Sequence, residues 1–187
     1  LQALVNGYGS DFMAGFNGAN KLDTFAFMPI QSFATAATTF VGQNIGAGRM
    51  DRVKEGTRQT MVMAVVVSMG AALLLIVAGP LLMQLFSDEP AVIDAGMAYL
   101  YRICPFYFLL AVMFILNSVM RGAGEMMVPM LSSVISLWLA RIPAAYLLDH
   151  FFGRDNMFFC YLFGWILGLL ITLPPYFRGR WKNKTVV

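Results

Sequence analysis

Charge is what this sequence has least of. Only 12% of its 187 residues are Asp, Glu, Lys or Arg, while 59% are hydrophobic; a soluble domain carries about 25% charged and roughly 45–50% apolar residues. A soluble helical protein would need polar faces toward water, yet residues 60–83 are free of charge and apolar around the whole helical circumference. That pattern excludes a soluble bundle. Cysteine is nearly absent: Cys104 and Cys160 both lie inside apolar runs without metal-binding or CxxC spacing, and so read as small packing residues. The single histidine, His150, stands beside Asp149 without further ligands, which argues against a metal centre. No serine, cysteine or carboxylate pair has the arrangement of an intramembrane protease, and the sequence does not call for an enzyme. The spaced glycines of Gly42-Gln43-Asn44-Ile45-Gly46-Ala47-Gly48 lack the lysine and threonine of a phosphate cradle, so neither ATP nor another cofactor is implied. The chain opens at Leu1 without a signal pattern, and a fragment of a longer protein is expected.

What the sequence does have is length of apolar run. A hydrocarbon core of about 30 Å takes about 20 apolar residues in a helix, and the runs at 60–83, 95–120, 126–148 and 157–177 approach or exceed that. A fifth stretch, 12–44, has no long polar break but carries Lys21, Asp23 and Pro29. The expected fold class is all-α: a polytopic membrane bundle of five full transmembrane helices, with residues 1–9 as the end of a sixth and 179–187 as a basic tail. Lipid is its solvent. Basic residues cluster at Arg49, Arg52, Lys54 and Arg58 and again at Arg178, Arg180, Lys182 and Lys184, whereas the connector at 87–94 has none. Arginine and lysine in short connectors stay cytoplasmic, so the pattern predicts a cytoplasmic C-terminus and an outward turn at residues 10–11. It also explains the net charge of +3 without nucleic acid. The aromatics Tyr99, Tyr101, Tyr146, Tyr176 and Trp181 fall near span ends as interface anchors, and Trp138 and Trp165 fall within spans. The glycine pairs Gly42 and Gly46, and Gly164 and Gly168, have the spacing that lets helices approach closely.

On a helical wheel of the first full span, Asn17, Lys21, Thr24, Met28, Gln31, Thr35 and Thr38 form one stripe at alternating spacings of four and three. Such a stripe faces either a neighbouring helix through hydrogen bonds or a water-filled pathway. Ionisable groups at membrane depth are costly and mark function by default. Asp23 is therefore a candidate for ion or proton coupling; Lys21 is one too, unless it snorkels to the interface. Two residues apart on a helix, they do not face each other, so any cationic partner of Asp23 belongs on another helix. Pro29 removes a backbone hydrogen bond and should bend this span, as a hinge or as a static kink. Arg141 reads either as a structural anchor or as a cavity residue, and Arg102 as an interfacial anchor. Fourteen methionines and sixteen phenylalanines supply adaptable apolar surface suited to promiscuous binding.

Residues 27–58, reading FMPIQSFATAATTFVGQNIGAGRMDRVKEGTR, closely resemble the second span and following basic connector of the C-terminal lobe in the multidrug and toxic compound extrusion (MATE) family. Met120-Arg121-Gly122-Ala123-Gly124 with Pro129, and Arg141-Ile142-Pro143 with Ala145-Tyr146-Leu147-Leu148, look like that family's short cytoplasmic turn and penultimate span. The resemblance implies the C-terminal half of a twelve-helix exporter built of two six-helix lobes. It further implies drug-sized, often cationic small organic substrates leaving in exchange for Na⁺ or H⁺, a cavity between the lobes, and a bacterial inner membrane. The partner would be the N-terminal lobe of the same chain. Exporters of lipid-linked or polysaccharide precursors resemble it in the same superfamily, and a non-transporting membrane scaffold remains open on the residues alone. Some branches of the family carry an acidic cation-site residue before the Arg-Gly turn; residues 106–120 here contain no acid, and Asn117 is their only amide. The departure places the main coupling carboxylate in the other lobe, and Asn117 and Arg141 among the candidate pathway residues.

Overall fold

In hydrocarbon no water satisfies backbone N–H and C=O groups, so a spanning segment must close its hydrogen bonds internally. The apolar runs accordingly fold as helices from end to end. The structure, a computed structural model, describes residues 2–179 and residue 181; Arg180, Lys182 and Lys184 of the basic tail lie outside the described residues. A short helix α1 (Gln2–Asn6) leads into α2 (Ser10–Gly46), α3 (Met50–Met83), α4 (Pro90–Ile103), α5 (Tyr107–Gly122), α6 (Met127–Val134), α7 (Ile142–Phe152) and α8 (Cys160–Arg178).

Among the described residues, four helical segments are long and apolar enough to cross a membrane: Met50–Met83, Pro90–Gly122, Met127–Phe152 and Arg154–Arg178. The remaining long helix, α2, has 37 residues, about 55 Å at 1.5 Å per residue. Its polar residues, not its length, keep it out of the apolar set.

Two spans are less regular than the hydropathy predicts. The segment expected at 95–120 begins at Pro90 and changes to a 3₁₀ turn at Cys104–Phe106 before α5 continues. Pro105 has no N–H to donate and its ring crowds the preceding turn, which interrupts the α-helical ladder. The segment expected at 126–148 carries a π-helical stretch, Ile135–Arg141, between α6 and α7. Pro143 follows it and clashes with the carbonyl four residues back, so the widened turns accommodate a ring that a regular helix would not. The helices also extend into the expected connectors: Arg52, Lys54 and Arg58 belong to the first turns of α3, and the α2–α3 turn is only residues 47–49. Gly48 makes that reversal with φ 69°, in the left-handed region. α2 itself runs through Pro29 without a break.

The centre of the bundle is α5, in which residues 115–120 are all buried. α2 packs along α3, α4 and α5, while α8 joins α5 to α6 and the π-helical stretch. α3 turns Val62, Val66, Leu73 and Val77 outward and buries Ala64, Ser68, Ala72 and Gly79 inward together with Val53, Leu75 and Met83; the small residues in that set let neighbouring helices approach closely. α2 and α4 come closest at Gly15 and Gly96: a Cβ on Gly15 would lie 2.3 Å from the Val92 carbonyl oxygen, and one on Gly96 would lie 2.9 Å from the Gly15 carbonyl oxygen. Of the glycine pairs expected to pack, Gly164 and Gly168 both face the π-helical stretch and Gly42 meets Gly122, but Gly46 faces open space.

Candidate functional site

α2 presents two different faces. Its buried side is made of Phe12, Phe16, Ala19, Leu22, Ala26 and Ile30. On the other side Asn17, Lys21, Thr24, Met28, Gln31 and Thr35 are all exposed, and Thr38 is half-buried. The hydroxyls of this face turn back on their own helix: Thr24 donates to the Asn20 carbonyl at 3.0 Å, Thr35 to Gln31 at 3.0 Å and Thr38 to Ala34 at 3.0 Å. Thr38 alone among these also reaches another helix, at the Ser118 carbonyl, 3.3 Å away. Hydroxyl back-bonding and a proline in one helix both favour curvature. Three open cavities lie along this side. One of about 410 Å³ borders Gln31, Thr35, Thr38 and Arg121, another of about 750 Å³ borders Thr24, Met28, Gln31 and Thr35, and the third is described next.

The third cavity, about 330 Å³, is where α2, α5, the π-helical stretch and α8 converge. α2 supplies Asn20, Asp23, Thr24 and Phe27; α5 supplies Leu110, Met113 and Phe114; the far wall holds Ser136, Arg141, Tyr161 and Trp165. Asp23 is half-buried and accepts two hydrogen bonds, from the Tyr99 hydroxyl at 2.9 Å on one carboxylate oxygen and from the Tyr107 hydroxyl on the other. Both tyrosines are buried, at 0% and 1% exposure. The 3₁₀ turn between α4 and α5 carries the chain from one tyrosine to the other. Arg141 lies across the cavity with its guanidinium carbon 4.2 Å from the centre of the Tyr161 ring, a cation–π contact. Arg141, from another helix, lines the same cavity as Asp23, and the two form no ion pair within 4.0 Å.

Not every candidate converges here. Lys21 lies against the segment that follows α3, with its ammonium 5.8 Å from the centre of the Phe86 ring. Asn17 is exposed and borders none of these cavities. Asn117, placed among the pathway residues by sequence, is instead 5% exposed and accepts a 2.9 Å hydrogen bond from the Thr172 hydroxyl between α5 and α8. Tyr99, expected as an interface anchor, is a buried partner of Asp23. Trp165 lines the cavity, whereas Trp138 is 66% exposed on the outer surface. Sequence reasoning did not single out Tyr107, Ser136 or Tyr161. The signal for the tyrosines was a polar-tipped aromatic inside an apolar run; Ser136 carried none.

At the end of the bundle expected to face outward, Arg102 donates to the Ala98 carbonyl at 2.9 Å and approaches Asp155 at 3.8 Å, pinning α4 to the segment before α8. The Tyr8 hydroxyl donates to Asp149 at 2.5 Å, and that bond holds the phenol above its ordinary range. His150 makes an edge contact with Phe151. Among the described residues no group of histidine, cysteine or acidic side chains is placed to hold a metal ion.

The sequence matches the MatE family over residues 1–147. It is 30% identical over 97% of its length to the probable multidrug resistance protein YpnP of Bacillus subtilis, covering 41% of that protein. It is 25% identical over 96% of its length to the probable multidrug resistance protein NorM of Thermotoga maritima, covering 39% of that protein. The chain thus spans about two fifths of the curated relatives it matches. Its fold superposes on the crystal structure of the Vibrio cholerae MATE transporter VcmN in the bent form with a TM-score of 0.86 at 20% identity, covering 97% of this chain and 42% of that one. A MOP superfamily transporter from Pyrococcus furiosus superposes with a TM-score of 0.87 at 16% identity, covering 98% of this chain and 42% of that one.

Proposed function

The chain belongs to the MatE family, and from that premise we propose that it serves as the C-terminal lobe of a secondary-active multidrug antiporter. Drug-sized organic compounds leave by alternating access in exchange for Na⁺ or H⁺. The observation that carries this reading is the exposed polar face of α2. Asn17, Lys21, Thr24, Gln31 and Thr35 lie on one exposed side of a helix whose other side is packed, and a stripe of that length cannot face lipid. A second lobe related to this one by an axis along the membrane normal closes the other side of a water-filled cavity. The hydroxyls that bond back to their own carbonyls favour a cavity wall over a seam between packed helices.

Within this reading Thr24, Met28, Gln31 and Thr35 line the pathway, and Arg141 borders its deeper recess. Asp23, held by two tyrosine hydroxyls, is the coupling group of this lobe, and Pro29 is the hinge of α2. The four basic residues around the α2–α3 turn put that end of the bundle in the cytoplasm, and with it the C-terminus. The host membrane is a bacterial inner membrane. Ethidium efflux from cells expressing the full-length protein tests the reading. Efflux should fall to the rate of a vector control when ionophores dissipate the Na⁺ and H⁺ gradients together; efflux that persists without either gradient refutes it.

A further inference from the structure

The span from Met127 to Phe152 is α-helical at both ends and π-helical between them, over Ile135–Arg141. π-helical turns close i→i+5 hydrogen bonds in place of i→i+4 and are frequent at functional sites. Two side chains of this stretch lack partners: the Ser136 Oγ and the Arg141 Nε are buried and form no hydrogen bond. In α2, by contrast, Thr24, Thr35 and Thr38 each donate to the carbonyl four residues back; the wider turn denies Ser136 that bond. Arg141 forms no hydrogen bond or ion pair among the described residues and rests on the Tyr161 ring instead. A buried charge without a counterion is costly, and Asp23 lines the same cavity. Each of its oxygens accepts one tyrosine hydroxyl and keeps a lone pair for a further donor. Little holds the stretch in its present winding. α8 meets it with the bare backbone of Gly164 and Gly168, where an added Cβ would lie 3.2 Å from the Ser136 carbonyl oxygen and 2.6 Å from the Ser136 Oγ, respectively. α7 beyond it buries only Ala145, and its last turn is tied by the Tyr8 hydroxyl to Asp149.

We propose that the π-helical stretch is a register switch that carries Arg141 between Tyr161 and Asp23. In the register of this structure the guanidinium stacks on Tyr161. In the second register residues 135–141 wind as α-helix and α7 turns about its axis. The Arg141 guanidinium then pairs with the Asp23 carboxylate, and the Ser136 hydroxyl reaches the Ser132 carbonyl. Opposite preferences keep the two registers close in free energy. Pro143 has no N–H and crowds the Leu139 carbonyl, which favours the widened winding; the counterion for Arg141 and the bond for Ser136 favour the α-helical one. A switch needs a bistable element and a contact that differs between its states, and this stretch supplies both. The cavity then presents two separated charges in one register and a neutral pair in the other. A carboxylate that takes up Na⁺ or H⁺ in one state and releases it in another needs such a change of neighbour, and to that extent the proposal rests on the antiporter reading. The movement itself lies inside this lobe and is distinct from the rocking of one lobe against the other.

Double electron–electron resonance on the purified full-length transporter reads the register directly. Nitroxide labels at Leu147→Cys on α7 and Leu170→Cys on α8, both exposed, lie in the same lobe; the native cysteines are replaced by alanine. This pair should give two distance populations, whereas Leu73→Cys on α3 with Leu170→Cys should give one. Deleting Leu139 removes the residue that the wider turns accommodate, and should leave a monodisperse protein with only the α-helical population. Deleting Leu73 from the regular α3 should not leave a monodisperse protein. Arg141→Gln should lower the ratio of the α-helical to the π-helical population by about tenfold or more, the scale of a lost charge-assisted hydrogen bond. Asp23→Asn should do the same, and Arg141→Lys, which keeps the charge, should do less. A single population in the Leu147 pair, with and without ethidium, overturns the proposal. A ratio unchanged by Arg141→Gln, or aggregation of both deletion variants, also overturns it. Because the distances are read without transport, two populations without gradient-driven efflux count against the antiporter reading alone, and efflux with a single population counts against the switch alone.

Discussion

Asp23→Leu will lower the thermal midpoint of the detergent-purified full-length protein, and adding Tyr99→Phe and Tyr107→Phe to it will recover most of the loss. In the parent, a carboxylate in a helix bundle bears a desolvation cost that the two tyrosine hydroxyls offset. Leucine removes the carboxylate and leaves two buried hydroxyls without an acceptor, each costing about 1–3 kcal/mol. It also removes the acidic group that shares the cavity with Arg141. A total of about 2–6 kcal/mol follows from the two hydroxyls, comparable to breaking one partner out of a buried polar network. The triple variant has no unpaired hydroxyl and replaces the network with apolar surface, which in other proteins is neutral or stabilising. A single variant as stable as the parent would show that Asp23 is not tied to the tyrosines. A triple variant no better than the single would show that the loss has another cause.

The second large effect is steric. Gly15→Ala will destabilise the bundle by about 1–3 kcal/mol, the usual range for overpacking, and Gly15→Leu will abolish the monodisperse species in size-exclusion chromatography. The reason is that the added carbon meets backbone: the Val92 carbonyl oxygen is 2.3 Å away and the Gly96 nitrogen 2.9 Å. Side chains can rotate, but two helix backbones can only separate, and the α2–α4 contact also sets the distance between Asp23 and Tyr99. Gly70→Ala in α3 is the matched control, because nothing lies within 4 Å of the added carbon and alanine favours the helix. Equal stability of Gly15→Ala and Gly70→Ala would contradict the close approach.

Hydropathy made the spans legible because hydrocarbon enforces one rule along the whole chain, and the polar stripe was legible because α2 is a single helix whose period does not slip. The interruptions were harder. Pro105 and Pro143 lie within apolar runs, and a run says nothing about whether a proline breaks, narrows or widens a helix; here one makes a 3₁₀ turn and the other follows a π-helical stretch. The site was legible only on one wall. Tyr99 and Tyr107 stand 76 and 84 residues from Asp23, and their pairing with it follows from the packing of α4 and α5 on α2. Nothing local to any of the three encodes that. Asn117 illustrates the converse: an amide in an apolar run is equally suited to a pathway or to a bond between helices, and Thr172 of α8, on the neighbouring side, decides for the second. Arg141 was open between anchor and cavity because its depth along the span does not give its direction around the helix, and the π-helical stretch before it shifts that direction.

Thiol accessibility asks most directly whether the polar side of α2 is a wet wall. Single cysteines at Asn17, Thr24, Gln31 and Thr35 would be compared with single cysteines at Ala19, Ala26 and Ala34, which are 0%, 4% and 4% exposed. The background is the full-length transporter with the buried Cys104 and Cys160 replaced by alanine. A water-soluble methanethiosulfonate reagent should label the first set, with ethidium slowing the reaction at Thr24 and Gln31, and should leave the second set unreacted. Protection of the first set equal to that of the second would mean that the stripe is a dry seam between helices and that no transport pathway runs along α2.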